Sequence, residues 1–245
     1  MAGKGIDVSK HNGAIEWSKV SKEVDFAIIR AGYGKEASQK DWKFEYNYEQ
    51  AKKFGVPVGA YHYSYATTVA EAEQEAAVLI GWLKGKKFEY PIFFDMEEKA
   101  QSKLSRATCT AIVRAFCKKL EAAGYWAGVY SYDSFFATNL ESSIQTDYAC
   151  WTARVENVKP TSCKKYGMWQ YSWKGKVNGI SGYVDMNYCY VDYPAAVKKA
   201  GLNGYSNKPK TYTVTAVQSG LSEDKASDTV AYLEKLGMKA SKKED

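Results

Sequence analysis

The chain has 245 residues, 45% of them hydrophobic and 15% aromatic, which suits one barrel-sized domain or one domain plus a small appendage. A net charge of +6 favours polyanionic partners. No dense Lys/Arg stripe or nucleic-acid motif is present, so nucleic acid is excluded as a partner, and no apolar run is long enough for membrane insertion. The five cysteines, Cys109, Cys117, Cys150, Cys163 and Cys189, form no CxxC pair and lie far in sequence from His11 and His62. Zinc is therefore not expected, nor any other metal or cofactor, and the cysteines read as buried thiols of a reducing compartment. The 20 tyrosines and 7 tryptophans serve either packing or stacking on sugar rings.

In chain order, residues 5–9 read as a short first strand, followed by the Lys10-His11-Asn12-Gly13 turn and a short helix over 15–20. Residues 24–31 are a nearly unbroken apolar run, as in a parallel strand buried on both faces. A helix is predicted over 44–54, stopped by Gly55, and a third strand over 56–65. Thr68 is placed to cap a helix reaching about Leu83. Residues 90–98 make a fourth strand, and Ser105 opens a helix with Ile112, Val113, Phe116 and Leu120 on one face. A fifth strand follows at 126–131. Such alternation builds right-handed βα units and a parallel sheet.

After residue 131 the rhythm changes to three short strands without long helices between them, carrying Trp151, then Trp169-Gln170-Tyr171, then Asp185-Met186-Asn187. The fold class is α/β: an irregular TIM-like barrel of five βα units plus three further strands, closed by a helix at 193–200. The barrel is assigned residues 1–200 and a linker 201–210. Residues 211–245 form a small β-α-β appendage: a strand at 211–218, a helix at 222–236 and a second strand starting at Met238. This piece buries too little to be more than marginal alone.

The stretch Tyr90-Pro-Ile-Phe-Phe-Asp95-Met-Glu97-Glu98 carries the chemistry. Strand alternation sends Asp95 and Glu97 the same way, roughly 6–7 Å apart at Cα, and Met96 the other way. Crowding raises the pKa of at least one acid, which suits glycoside hydrolysis, where a proton must reach the leaving oxygen beside stabilising negative charge. The same two acids could instead cap the next helix or pair with Lys99 and Lys103. Glu98 is expected to face elsewhere and be solvated. In a parallel barrel the C-terminal strand ends gather on one face, and Asp7, Tyr61, His62, Asp95, Glu97 and Tyr130 lie near such ends.

Four separated pieces occur in order: Gly5-Ile-Asp7-Val-Ser9-x-His11-Asn12-Gly13, Gly59-Ala-Tyr61-His62-Tyr63, Asp95-Met-Glu97, and Trp169-Gln170-Tyr171 with Val184-Asp185-Met-Asn187. Over residues 5–199 this pattern resembles the glycoside hydrolase family 25 lysozymes, which are N-acetylmuramidases. The resemblance implies cleavage of the β-1,4 bond between N-acetylmuramic acid and N-acetylglucosamine, with Glu97 as acid/base. Asp95 would steady positive charge or orient the substrate's acetamido group, and Asp7 and Asp185 would line the floor and tune Glu97. Tyr61, Tyr63, Tyr130, Trp169, Gln170 and Asn187 are assigned to substrate binding. His62 is assigned there too, as the group that orients a carboxylate.

The implied partner is bacterial peptidoglycan, met by a monomer. No signal peptide is visible, which fits either phage-type (endolysin) release from the cytoplasm to the wall or a chain separated from its export signal. The alternatives are a chitinase-like glycosidase and a non-catalytic glycan-binding module on the same barrel. Beyond residue 200 the chain loosely resembles half of a peptidoglycan-binding sporulation-related repeat.

Overall fold

The computed structural model describes residues 2–155, 158–206 and 219–243. Eight strands close into a barrel in sequence order. They are β1 (Gly3–Val8), β2 (Phe26–Tyr33), β3 (Val58–Tyr63), β4 (Ile92–Asp95), β5 (Ala127–Tyr132), β6 (Ala149–Ala153), β7 (Tyr166–Gly175) and β8 (Val184–Cys189). The pairs from β1–β2 to β6–β7 are parallel. β8 runs antiparallel to both β7 and β1. The mouth at the C-terminal ends of seven strands therefore receives the beginning of the eighth.

The helices are α1 (Trp17–Val20), α2 (Phe44–Lys53), α3 (Val69–Leu83), α4 (Arg106–Ala122), α5 (Asp133–Thr138), α6 (Ile144–Asp147), α7 (Tyr193–Ala200) and α8 (Glu223–Lys235). The start signals read from the sequence act as caps. Thr68 accepts from the Glu71 amide and Ser105 from the Thr108 amide, satisfying donors that the first helical turn leaves open. Among the described residues, no helix is long and apolar enough to cross a membrane.

Two apolar layers follow from strand alternation. Phe26, Ile28, Tyr90, Phe93, Trp151 and Met168 point inward and fill the lower barrel. Their neighbours in sequence point outward, and Ile29, Phe94 and Val129 pack with Leu79 of α3 and Ile112 and Phe116 of α4. Gly128 makes the inner layer possible. A Cβ there would meet the Phe93 ring at 2.5 Å, so only a glycine lets that ring lie across β5. The plug below leaves the mouth as the place where inward side chains can meet a ligand.

The chain divides into two compact units, 1–208 and 209–245. The segment read as linker from residue 201 is, in its described part, a piece of the barrel. Asn203 is fully buried; it accepts from the Trp126 amide at 2.7 Å and donates to the Tyr90 carbonyl at 2.8 Å. The Tyr205 hydroxyl bonds Glu89. In the second unit, α8 starts beside Ser222 as expected. The strand expected over 211–218 lies outside the described residues. The strand expected from Met238 does not form in 238–243: Lys239, Ser241, Lys242 and Lys243 give it no apolar face, and Lys242 pairs instead with Glu223 of α8.

Candidate active site

β4 delivers Asp95 at its last position, level with Tyr63 on β3 and Tyr130 on β5. The chain remains extended past the strand's end, so Met96 is fully buried outside the barrel while Glu97 returns to the mouth. The Met96 amide donates to the Tyr130 carbonyl and Ser131 Oγ donates to the Met96 carbonyl. Below the turn, fully buried Gln101 accepts from the Glu98 amide at 3.0 Å and donates to the carbonyls of Ser64 and Ala66. These bonds fix the two acids on backbone rather than on mobile side chains.

Asp7 comes from β1 and sits opposite Asp185 of β8 in the antiparallel register. One Asp7 oxygen, Oδ2, accepts from Gln170 Nε2 at 2.9 Å and from Asn187 Nδ2 at 2.8 Å. Tyr130 and Trp173 both donate to Gln170 Oε1 at 2.9 Å, and Trp151 donates to Asn187 Oδ1 at 2.8 Å. Each amide is thus oriented by an aromatic donor so that its NH2 faces Asp7. Asp7 and Asp185 share a hydrogen bond and titrate as a pair.

All four acids are pushed above the ordinary carboxylate range. Burial raises Asp7 to about 6 against its hydrogen bonds from Asn187 and Gln170. Burial and the Asp7 charge raise Asp185 to about 8. Burial, then Glu97 and Asp7, push Asp95 up, with Arg30 opposing. Burial raises Glu97 against a hydrogen bond from the Tyr132 hydroxyl, and Asp7 adds to the rise. Four interacting carboxyls titrate as a set, and this set holds protons at pH values where exposed acids have lost theirs.

The mouth brings together Asp7, Asp95, Glu97, Asp185, Tyr61, Tyr130, Gln170 and Asn187. Tyr61 stands half-buried against Trp151, its phenol pushed up by burial and by Asp7. Tyr63 is also at the mouth, where its hydroxyl donates to Glu98 Oε1 at 2.7 Å. Glu98 is accordingly half-buried and bonded, not solvated.

Two expected site residues are elsewhere. His62 follows inward-facing Tyr61, so its side chain points out of the barrel. It is fully buried between the Trp82 and Phe116 rings, with Glu75 Oε2 at 3.6 Å. Trp169 precedes inward-facing Gln170 and also points outward. Its indole donates to the Arg154 carbonyl and its ring lies against Tyr171 and Tyr188.

The aromatic groups that sequence reading passed over are Tyr132 and Trp173 at the mouth and Trp151 buried below it. Trp173 is 46% exposed, and together with Tyr132, Asp133, Arg154 and Thr161 it lines a pocket of about 530 Å³ over the ends of β5–β7. Tyr132 borders both this pocket and Glu97. The cleft therefore extends sideways from the acids over an aromatic floor.

The pattern of the family described as Glycosyl hydrolases family 25 matches residues 6–180. The chain belongs to this family. Within it, the chain is 29% identical over 185 residues to the autolytic lysozyme of Clostridium acetobutylicum, covering 75% of this chain and 55% of that protein. The solved modular autolysin LytC from Streptococcus pneumoniae shares 32% identity at a TM-score of 0.69, over 77% of this chain and 47% of that one. LytC has also been solved in complex with a synthetic peptidoglycan ligand. The bacterial lysozyme from Streptomyces coelicolor shares 25% identity at a TM-score of 0.72, over 84% of this chain and 99% of that one. The chain thus spans about half the length of the clostridial and pneumococcal proteins. The closed eight-strand barrel is consistent with these solved family members.

Proposed function

We propose that the chain is a peptidoglycan hydrolase cleaving the β-1,4 bond between N-acetylmuramic acid and N-acetylglucosamine. The carrying observation is Glu97, half-buried at the mouth with a raised pKa, two residues from buried Asp95 and beside the Asp7–Asp185 pair. Its family and its lysozyme relatives support the same reading.

Glu97 donates its proton to the glycosidic oxygen as the bond to the anomeric carbon breaks. Asp95 supplies negative charge to the oxocarbenium-like centre, or accepts from the acetamido N–H so that the acetamido oxygen attacks with retention. In that substrate-assisted course Glu97, now a carboxylate, takes a proton from the incoming water. The Asp7 charge helps hold the proton on Glu97 until it is needed, and Asp185 shares a hydrogen bond with Asp7. Tyr61 and Trp173 offer ring faces to sugars, buried Trp151 backs Tyr61 and orients Asn187, and Gln170 and Asn187 hold Asp7 still.

The protein acts as a monomer at the bacterial cell wall. Purified Gram-positive walls test the proposal: loss of turbidity with new reducing ends at muramic acid is expected. Wall binding without release would leave a glycan-binding module, and cleavage of chitin with walls untouched would leave a chitinase-like glycosidase.

A further inference from the structure

The pocket over the ends of β5–β7 holds a cation that the bond-breaking steps do not use. Arg154 follows β6 directly, one residue past Ala153, which is level with Tyr132 on β5 and Gln170 on β7. Its amide donates to the Gln170 carbonyl at 3.1 Å, and its carbonyl accepts from the Trp169 indole at 2.7 Å. The backbone of Arg154 is thus clipped to the strand that carries Gln170, whose side chain donates to Asp7 at 2.9 Å. Trp173, which also lines the pocket, donates to that same side chain at 2.9 Å. Two hydrogen bonds therefore link the pocket wall to an acid of the mouth.

The two charged residues that line the pocket are not equivalent. Asp133 is spent on backbone: Oδ1 accepts from the Ser162 and Cys163 amides, both at 2.9 Å, and Oδ2 from the Thr161 amide at 3.0 Å. Its side chain is 9% exposed, whereas that of Arg154 is 36% exposed. Only Nη1 of Arg154 is engaged, donating to Asp133 Oδ2 at 3.2 Å and to Thr161 Oγ1 at 2.6 Å. Nε and Nη2 have no hydrogen-bond partner among the described residues. These two nitrogens form the side-on edge of the guanidinium, whose parallel N–H bonds match the two oxygens of a carboxylate. Asp133 and Thr161 thus hold the fork by its far nitrogen and leave its donor edge to a ligand. Arg154 is the one cation among the described residues lining the pocket, and the volume of about 530 Å³ suits a small-molecule group.

We propose that this pocket binds a carboxylate carried on a side branch of the glycan, with Arg154 as its bidentate partner beside the Trp173 sugar platform. The inference rests on the muramidase reading and names the substrate within it. Muramic acid bears a lactyl group that a peptide extends, so an acid-bearing branch leaves every second sugar. Chitin, a chain of N-acetylglucosamine alone, carries no such acid. Arg154 therefore favours wall glycan over a neutral chain that the mouth acids by themselves do not tell apart. The carboxylate can belong to the lactyl group or to the peptide stem.

The test uses short soluble glycan strands of one length in three forms: with free stem carboxylates, with those carboxylates converted to amides, and with the peptide removed so that the lactyl carboxylate is bare. kcat/KM is measured on each for the wild type, Arg154→Gln and Arg154→Lys, with a melting curve for every variant. Arg154→Gln should lose about tenfold on carboxylate-bearing strands and stay within about twofold of wild type on amidated ones. Arg154→Lys keeps the charge but not the fork, so it should lose about threefold, again on carboxylate-bearing strands alone. A loss in Arg154→Gln that extends to peptide-free strands assigns the pocket to the lactyl carboxylate; a loss confined to the free-stem form assigns it to the stem.

A merely structural Arg154, needed only to hold Asp133 and Thr161, lowers the rate on all three forms alike. Equal losses on carboxylate-bearing and amidated strands, or no loss on either, overturn the proposal. If Arg154→Gln does not fold, Arg154→Lys decides by the same comparison. A wild type that leaves all three forms uncut is a different result: it overturns the muramidase reading, and the proposal falls with it.

Discussion

Two acidic sites lie back to back across β3. On the inner face, Tyr61 and Tyr63 look onto Asp95 and Glu97; on the outer face, His62 meets Glu75 of α3. Burial pushes Glu75 up to about 7 and His62 down to about 3. Both groups are therefore held toward their uncharged forms, although their nearest atoms are 3.6 Å apart. Glu75 is 1% exposed and accepts from the Tyr65 amide, which ties α3 to the end of β3. The mouth acids owe part of their shift to one another, and Glu97 remains half-buried rather than sealed. A perturbed titration marks chemistry only where a reactant can reach the group and where neighbouring charges give it a partner in the reaction.

The largest break between the two sites is expected from matched substitutions. Glu97→Gln should leave the melting temperature near wild type and lower the turnover of wall fragments by about 10²–10⁴-fold, the usual contribution of a general acid. Glu75→Gln should stay within about twofold of the wild-type rate, since an amide keeps the neutral hydrogen bonding of a protonated carboxyl. Asp95→Asn should be severely impaired as well, losing on the order of 10²-fold or more in kcat, because the charge opposing the oxocarbenium-like centre is gone. Equal losses in Glu75→Gln and Glu97→Gln would erase the distinction.

The tryptophans sharpen the same contrast of inner and outer faces. Trp173→Ala should raise KM about fivefold to tenfold with little change in melting, as one ring–sugar contact of about 1 kcal/mol is lost. Trp169→Ala should do the reverse, costing about 3–5 kcal/mol of stability with KM nearly unchanged, because its ring is 4% exposed and packs outside the barrel.

The smallest effect is a pH-dependent gain from Asp185→Asn. Asp185 has a folded pKa of about 8 against an ordinary 3.8, so its stabilising share is fully present below about pH 4 and is lost as pH rises toward 8. Asparagine does not ionise. The variant should therefore melt about 3 °C or more above wild type at pH 8 and much closer to it at pH 4, while losing activity. A gain that is flat with pH would remove the charge explanation.

Much of this was legible in the sequence because it rests on period two. Asp95 and Glu97 share a face by alternation and Asp7 was placed near a strand end, whereas Gln170 and Asn187 entered only through the family resemblance. That rule, applied strictly, also turns His62 and Trp169 away from the mouth; grouping them with their inward neighbours ignored it. Trp173 was illegible for the opposite reason. The register of β7 on β8 shifts between Gln170 and Ser172, and again before Gly175, so alternation counted from Gln170 sends Trp173 outward while its indole in fact reaches Gln170. Arg30 sits in an apolar run and has no local signature; only the pairing with Asp41, eleven residues later, places it. The barrel continues past residue 200 although Gly201-Leu-Asn-Gly reads as a spacer, because Asn203 offsets the cost of its burial with bonds to two separate backbone segments, at Phe88 and Tyr90 and at Gly124 and Trp126.

The antiparallel last strand has a consequence for timing. Asp7 lies on the first strand of the barrel, yet its amide partners Gln170 and Asn187 lie 163 and 180 positions later. Its carboxyl neighbour Asp185 arrives with the same closing strand. A nascent chain released before that strand docks has an open sheet and an unfinished mouth, so cutting power switches on only when translation has passed the final stave.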